Sequence, residues 1–429
     1  MPRPRLLRPR LLAAVPLVLA AAVGVTAAGA ATGARRPGDR PDARVGGTTT
    51  LDRGGPGTLE DPTSVVERDG SAYVAWAHSR VPRLCSVPAG GNRCARTRVL
   101  PAFAGRSFHL LAGAPGVLTL AWTGPATPGS PADTLSDRLF AATSSDGGAT
   151  FGPISALADL PPGSLLTSAS LTDVGLLAAT VSPGGVTVRA VSLGQTTTSY
   201  GGGAFFPGSA RDAQVSHSST GPVLVISVPG QPPVISHYAG SGTADDASGW
   251  TGPRSIAGVD DVLQLPQTPT DPVLVNRASS ARLLTASLWT GSQFGRGVAA
   301  DTGGRGPLAA TVDVAGRLTV VRGGGSGSGL VASSTLTGAV GADTPLTFSL
   351  PARVLVPRGA GGARPAVAVD GHGSGLVAVR TSLGGSELLV LQRFQAPVPP
   401  KPSPTGTPTG TPTGTPKPTP SPSRSSSRP

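Results

Sequence analysis

Cysteine is almost absent: Cys85 and Cys94 are the only two in 429 residues. They exclude a multi-bridge scaffold and a cysteine-rich metal centre, and they flank SVPAGGNR, which holds a Gly-Gly turn. In an exported chain two nearby cysteines across a hairpin pair as one disulfide. Charge is also sparse, at 14%, and the 38% apolar content is too high for a disordered chain. The five histidines, at 78, 109, 217, 237 and 372, have no metal-ligand spacing, so no metal and no cofactor is expected. No long stretch after residue 31 keeps a 3.6-residue apolar period, which argues against helical folds. What is plentiful is Gly (61) and Pro (45), which punctuate strands and break helices.

The net charge of +12 suggests nucleic acid until it is located. Twelve of the 35 basic residues and two of the 23 acidic ones lie in the first 44 positions or after 396. The body, 45–396, keeps 23 basic and 21 acidic residues and is nearly neutral. A basic stripe for phosphates is therefore not expected, and nucleic acid is not a partner.

Both ends read as something other than folded domain. MPRPRLLRPR is a positive start, LLAAVPLVLAAAVGV (11–25) an apolar run, and AGA (28–30) a small-x-small cleavage pattern. Residues 1–30 thus read as a signal peptide, with an uncleaved anchor as the alternative. No other segment reads as a membrane span, so the mature chain is expected to have none. Residues 31–44 form a flexible segment. From 397 to 429 the chain is rich in Pro, Thr and Ser, carries a PTGT repeat, and cannot bury a core, so a disordered tail is expected. The localisation implied is secreted or cell-envelope associated.

The body repeats itself. PTSVVERDGSAYVAWAHS (62–79), PLAATVDVAGRLTVVRGG (307–324) and PAVAVDGHGSGLVAVRTS (365–382) each place a turn between two apolar strands. Turn anchors recur at Gly70, Gly116, Gly175, Gly221, Asp271, Gly316 and Gly373, spaced 45 to 59 residues apart. A period near 50 with four strands per unit predicts an all-β chain, a β-propeller of six or seven four-stranded blades over 45–396, seven favoured. The last repeat is one strand short, and a strand near RVGGTTTL (44–51) is expected to complete it.

SSDGGATF (144–151) matches S-x-D-x-G-x-x-[FW]. In this stretch the chain resembles the Asp-box, or BNR-repeat, propellers of the sialidase-like superfamily, in their secreted bacterial type. The resemblance implies that Ser144, Asp146, Gly148 and Phe151 build the turn between a blade's third and fourth strands. DDASGW (245–250) and GSQF (291–294) are worn copies, and the Cys85–Cys94 hairpin takes the same place in the first blade.

The resemblance puts a ligand site on the opposite face, around the axis. The residues expected there are Arg277, Arg322 and Arg380 after second strands, and Asp61 and Arg364 before first strands, with Glu60 and Asp212 nearby. Mixed Arg and Asp suit a carboxylated ligand, because guanidinium pairs bidentately with carboxylate. A sialidase would add an Arg triad, an Asp acid/base and a Tyr nucleophile assisted by Glu. Only Tyr73, Tyr200 and Tyr238 exist, and no Tyr–Glu pair stands out. The chain therefore reads as a monomeric, non-catalytic exported module for a glycan, peptide or envelope component. A sialidase-type glycoside hydrolase is the alternative.

Overall fold

A computed structural model describes residues 44–103, 105–125, 137–172, 175–193, 203–241, 244–256, 259–266, 271–278, 283–295, 297–302, 308–323, 330–334, 352–355 and 364–396. The expected signal peptide, the flexible segment up to residue 43 and the Pro/Thr/Ser-rich tail lie outside the described residues. None of the described helices is long and apolar enough to cross a membrane.

The described chain forms seven four-stranded antiparallel sheets. Strand β1, Arg44–Gly54, comes first and is used last. Blade 1 is β2 (Thr63–Val66), β3 (Ala72–His78), β4 (Val81–Val87) and β5 (Arg96–Val99). Blade 2 is β6 (Arg106–Ala112), β7 (Leu118–Pro125), β8 (Asp137–Ser144) and β9 (Ser155–Leu160). Blade 3 is β10 (Leu165–Thr172), β11 (Gly175–Ser182), β12 (Gly185–Val191) and β13 (Ala204–Pro207). Blade 4 is β14 (Asp212–Ser216), β15 (Val223–Ser227), β16 (Val234–His237) and β17 (Arg254–Ser255). Blade 5 is β18 (Val259–Gln264), β19 (Val273–Ala278), β20 (Leu283–Leu288) and β21 (Val298–Thr302). Blade 6 is β22 (Leu308–Val312), β23 (Leu318–Gly323), β24 (Leu330–Ser334) and β25 (Ala352–Leu355). Blade 7 is β26 (Ala366–Val369), β27 (Ser374–Leu383), β28 (Ser386–Gln395) and the returning β1. The protein is a seven-bladed β-propeller; six of the seven turn anchors fall between a blade's first and second strands, and Gly175 opens the second strand of blade 3.

The inner strands, such as β3, β11, β14 and β15, are buried almost throughout because both faces of a blade are covered by neighbours, whereas the outer strands β5 and β17 are largely exposed. The result is seven apolar clusters among the described residues, one at each blade interface. Trp76 packs at the interface of blades 7 and 1, and Trp122 at that of blades 1 and 2. Trp122 stacks on Phe103 at 5.0 Å between ring centroids and on Phe140 at 5.6 Å. Both tryptophans are nearly inaccessible, which agrees with a core role rather than a sugar platform.

The ring closes by pairing the start of the chain with its end. β1 runs antiparallel to β28, with Arg53 opposite Leu388 and Thr49 opposite Leu391. The seam is held by buried polar groups as well as by apolar packing. Asp52 on β1 accepts hydrogen bonds from Trp76 Nε1 at 2.7 Å and His78 Nδ1 at 3.0 Å, and pairs with Arg83 at 3.2 Å. Burial alone would raise the Asp52 pKa, but the bonds from Trp76 and His78 outweigh it and hold the carboxyl below its usual range. Arg393 on β28 is 1% exposed and donates to the carbonyls of Gly70, Pro88 and Gly91 in blade 1.

The Cys85–Cys94 disulfide is present, with Cα atoms 5.4 Å apart, on the β4–β5 hairpin. SSDGGATF occupies the corresponding β8–β9 turn of blade 2. DDASGW and GSQF lie between third and fourth strands of blades 4 and 5.

Candidate functional site

The first strands of the blades surround the propeller axis and line a cavity of about 760 Å³. Its mouth lies where those strands begin, so residues just before each first strand form the rim. The wall is two-sided. Blades 1 to 4 supply hydroxyl groups, including Thr63, Ser64, Ser168, Ser170 and Ser216. Blades 5 to 7 supply Leu265, Ala309, Ala310, Ala366 and Val367.

Several wall hydroxyls stitch neighbouring blades together. Thr63 Oγ1 accepts from the Leu110 amide at 3.3 Å, joining blades 1 and 2. Thr167 Oγ1 donates to the Ala213 carbonyl at 2.7 Å, and Ser168 Oγ meets the Val215 backbone at 3.1 Å, joining blades 3 and 4. Two others are different. The hydroxyl oxygens of Ser64 and Ser170 are buried and have no hydrogen-bond partner. A buried hydroxyl left unpaired costs free energy, and these two oxygens are closed off from the cavity.

The rim carries paired charges. Arg364 lines the cavity and donates to Asp212 Oδ2 at 2.9 Å. Arg106 donates to Asp137 Oδ2 at 2.5 Å, and that oxygen also accepts from the Ser164 amide at 2.9 Å. Asp61 pairs with Arg380 at 3.2 Å. Burial pushes the Asp61 carboxyl above its usual range, opposed by Arg380 and Arg364. Glu60 accepts from the Ser107 amide at 3.3 Å. That amide is turned by a bulge in β6 between Arg106 and His109, where Ser107 takes a φ of 55°. A non-glycine residue at positive φ stores strain, which the surrounding sheet must hold. Burial also pushes Glu60 above the usual carboxylate range, against the Ser107 amide and Arg80. His109 lines the cavity and donates from Nε2 to the Leu166 carbonyl at 3.2 Å. Burial lowers its pKa and keeps the ring neutral.

The arginines read from sequence as loop residues sit differently. Arg277, Arg322 and Arg380 are inside strands β19, β23 and β27, not in the loops after them. The second strands run longer than their apolar cores, so the ladder continues past the last Val or Leu. Arg277 lies opposite Asp261 and Leu284, and its side chain is outside the described residues. Arg322 is 2% exposed and donates to the Gly323 carbonyl at 2.7 Å. Arg380 donates to the Leu59 carbonyl at 2.9 Å and to Glu387 at 3.2 Å, and so ties down the connection from β1 to β2. Only Asp61 and Arg364 of the five lie at the mouth with described side chains. Arg106, His109, Ser64 and Ser170 were not singled out from sequence. Their common signal is position at or within a first strand.

The SSDGGATF turn stands at the outer edge of its blade. Ser144 Oγ accepts from the Gly148 amide at 2.8 Å, and Asp146 accepts from the Thr150 amide at 2.7 Å and hydroxyl at 2.6 Å. The Thr150 hydroxyl and amide, with the Ser144 hydroxyl, hold the Asp146 carboxyl down to about 2. Gly148 has φ 76°, and a Cβ there would lie 2.4 Å from Cδ2 of Leu84 in blade 1. Phe151 packs edge-on against Phe103 at 5.5 Å in the cluster between blades 1 and 2.

No family model matches the chain, and no curated protein matches it. Solved structures do. A Mycobacterium tuberculosis puromycin-hydrolyzing peptidase is 15% identical, with a TM-score of 0.45 over 75% of this chain and 48% of its own. This chain therefore spans about half the length of that peptidase. Kuenenia stuttgartiensis hydrazine synthase is 12% identical, with a TM-score of 0.47 over 80% of this chain and 96% of its own. Trypanosoma rangeli sialidase in complex with sialic acid is 10% identical, with a TM-score of 0.39 over 82% of this chain and 59% of its own.

Proposed function

We infer that the protein is an exported propeller that binds a hydroxyl-rich ligand, a glycan or similar envelope component, in the axial cavity, without catalysing a reaction. The observation that carries this reading is the axial cavity itself, with a wall rich in serine and threonine on blades 1 to 4 beside a rim of ion pairs. The volume of about 760 Å³ lies in the usual range for small-ligand sites, roughly 300–1,000 Å³. Because Arg364 and Arg106 are already matched to carboxylates, the rim suits a polar ligand better than the carboxylated one expected from composition. Export is supported by the leader-like residues 1–30 and by the disulfide.

The glycoside hydrolase reading lacks its nucleophile. Tyr73 and Tyr238 are buried in clusters between blades, and no tyrosine lines the cavity among the described residues. Tyr200 lies outside them. A glycan-array screen of the secreted protein tests the binding reading. An array without any glycan hit would overturn it. Turnover of a fluorogenic sialoside would instead establish the hydrolase.

A further inference from the structure

The rim holds one carboxylate more than its ion pairs use. Asp61, Asp137 and Asp212 are each matched by a guanidinium, from Arg380, Arg106 and Arg364. Glu60 lines the same cavity and, among the described residues, its carboxylate forms no ion pair; the one hydrogen bond that carboxylate accepts is from the amide of Ser107 at 3.3 Å. Its charged neighbours are Arg80 and Arg106, which favour its ionised form, and Asp61, which opposes it. None of them is bonded to it. A half-buried carboxylate in this position is costly unless a cation joins it.

We propose that the cavity binds an amino sugar: the ammonium group docks on Glu60, the sugar hydroxyls face the serine and threonine arc of blades 1 to 4, and the apolar ring face lies against Ala309, Ala310, Ala366 and Val367. An ammonium donates three charge-assisted hydrogen bonds and restores the charge that burial penalises. A pyranose ring matches a wall with hydroxyls on one arc and methyl groups on the other. A carboxylated sugar would place a second anion beside Glu60 with the lining guanidiniums of Arg106 and Arg364 already engaged.

The inference rests on reading the cavity as the ligand site, and the test separates the two. Full-length protein is titrated calorimetrically at neutral pH with chitobiose bearing free amines and with its di-N-acetylated form. The free-amine form should bind, and acetylation should weaken it about tenfold or more, the scale of one charge-assisted bond. Glu60→Gln should weaken the free-amine form by a similar factor and leave the acetylated form unchanged. The wild-type comparison needs no variant, so it stands even if Glu60→Gln folds poorly. Equal affinity for both forms, or full amine affinity in Glu60→Gln, overturns the amine site and leaves the cavity reading in place. Binding of neither form overturns the amino-sugar inference outright, and an array without any glycan hit then removes the cavity reading as well.

Discussion

Arg393 donates from its guanidinium to the carbonyl of Gly70 at 2.9 Å, across 323 positions of sequence. The same side chain reaches Pro88 and Gly91 in the β4–β5 hairpin and Ser374 in its own blade. It is a buried clamp across the seam where the ring closes. Arg393→Ala should leave those oxygens unpaired and a void behind, at a cost of about 3–5 kcal/mol. Urea unfolding should give that value, and hydrogen exchange should show lost protection in β1 and β28 first. Unchanged exchange there would mean that the seam does not depend on Arg393.

The disulfide closes the hairpin that Arg393 contacts. Its loop is short, with Cys85 and Cys94 nine positions apart, so loop-closure entropy limits its worth to about 2–3 kcal/mol. The Cys85→Ala/Cys94→Ala variant should lose that much. Because Pro88 and Gly91 lie inside the loop, its effect and that of Arg393→Ala should be non-additive in a double-mutant cycle.

Asp52 makes the seam acid-sensitive. Its folded pKa lies below the usual value, so its contribution is complete above the unfolded pKa, near 4, and is lost as pH falls through the lower folded value. Asp52→Ala should destabilise the protein at neutral pH by about 2–3 kcal/mol, since Trp76 Nε1 and Arg83 lose their acceptor. The gap between variant and wild type should shrink in acid denaturation.

Asp146 follows the same sign. With its carboxyl held at about 2, Asp146→Ala should lower the melting temperature at neutral pH, and the difference should vanish as pH falls from 4 toward 2. Binding should be unaffected, because the turn is at the blade edge and not at the axis. Phe151→Ala should cost about 2–3 kcal/mol, below the value for a fully buried ring, since Phe151 is only partly buried.

Arg364 and Arg380 should part company. Arg364 has a half-exposed side chain, so Arg364→Ala should barely move the melting temperature. Arg380 holds the Leu59 carbonyl, Glu387 and Asp61 together, so Arg380→Ala should lower it measurably. Equal effects would place Arg380 outside the seam.

Much of the architecture was legible in the chain because it is local. A turn needs its glycine or Asp within a few residues, so Gly70, Gly316 and Gly373 mark the blades in one dimension. The cysteines share a single hairpin, and SSDGGATF closes its hydrogen bonds within seven residues. The site was legible only in part. Asp61 and Arg364 were found because each precedes a first strand. Arg322 and Arg380 were misplaced because a strand's end is set by its neighbour's ladder and not by its own composition.

Sequence alone determined the period and the turn chemistry and favoured seven blades over six, with a strand missing from the last, since backbone geometry and apolar alternation act over a few residues. The tertiary structure alone decided which charges are engaged. Asp61 meets Arg380, Asp212 meets Arg364, and Arg393 meets Gly70, each across more than 150 positions. Electrostatic pairing depends on distance in space, and ring closure brings the two ends of the chain together where no local pattern records it.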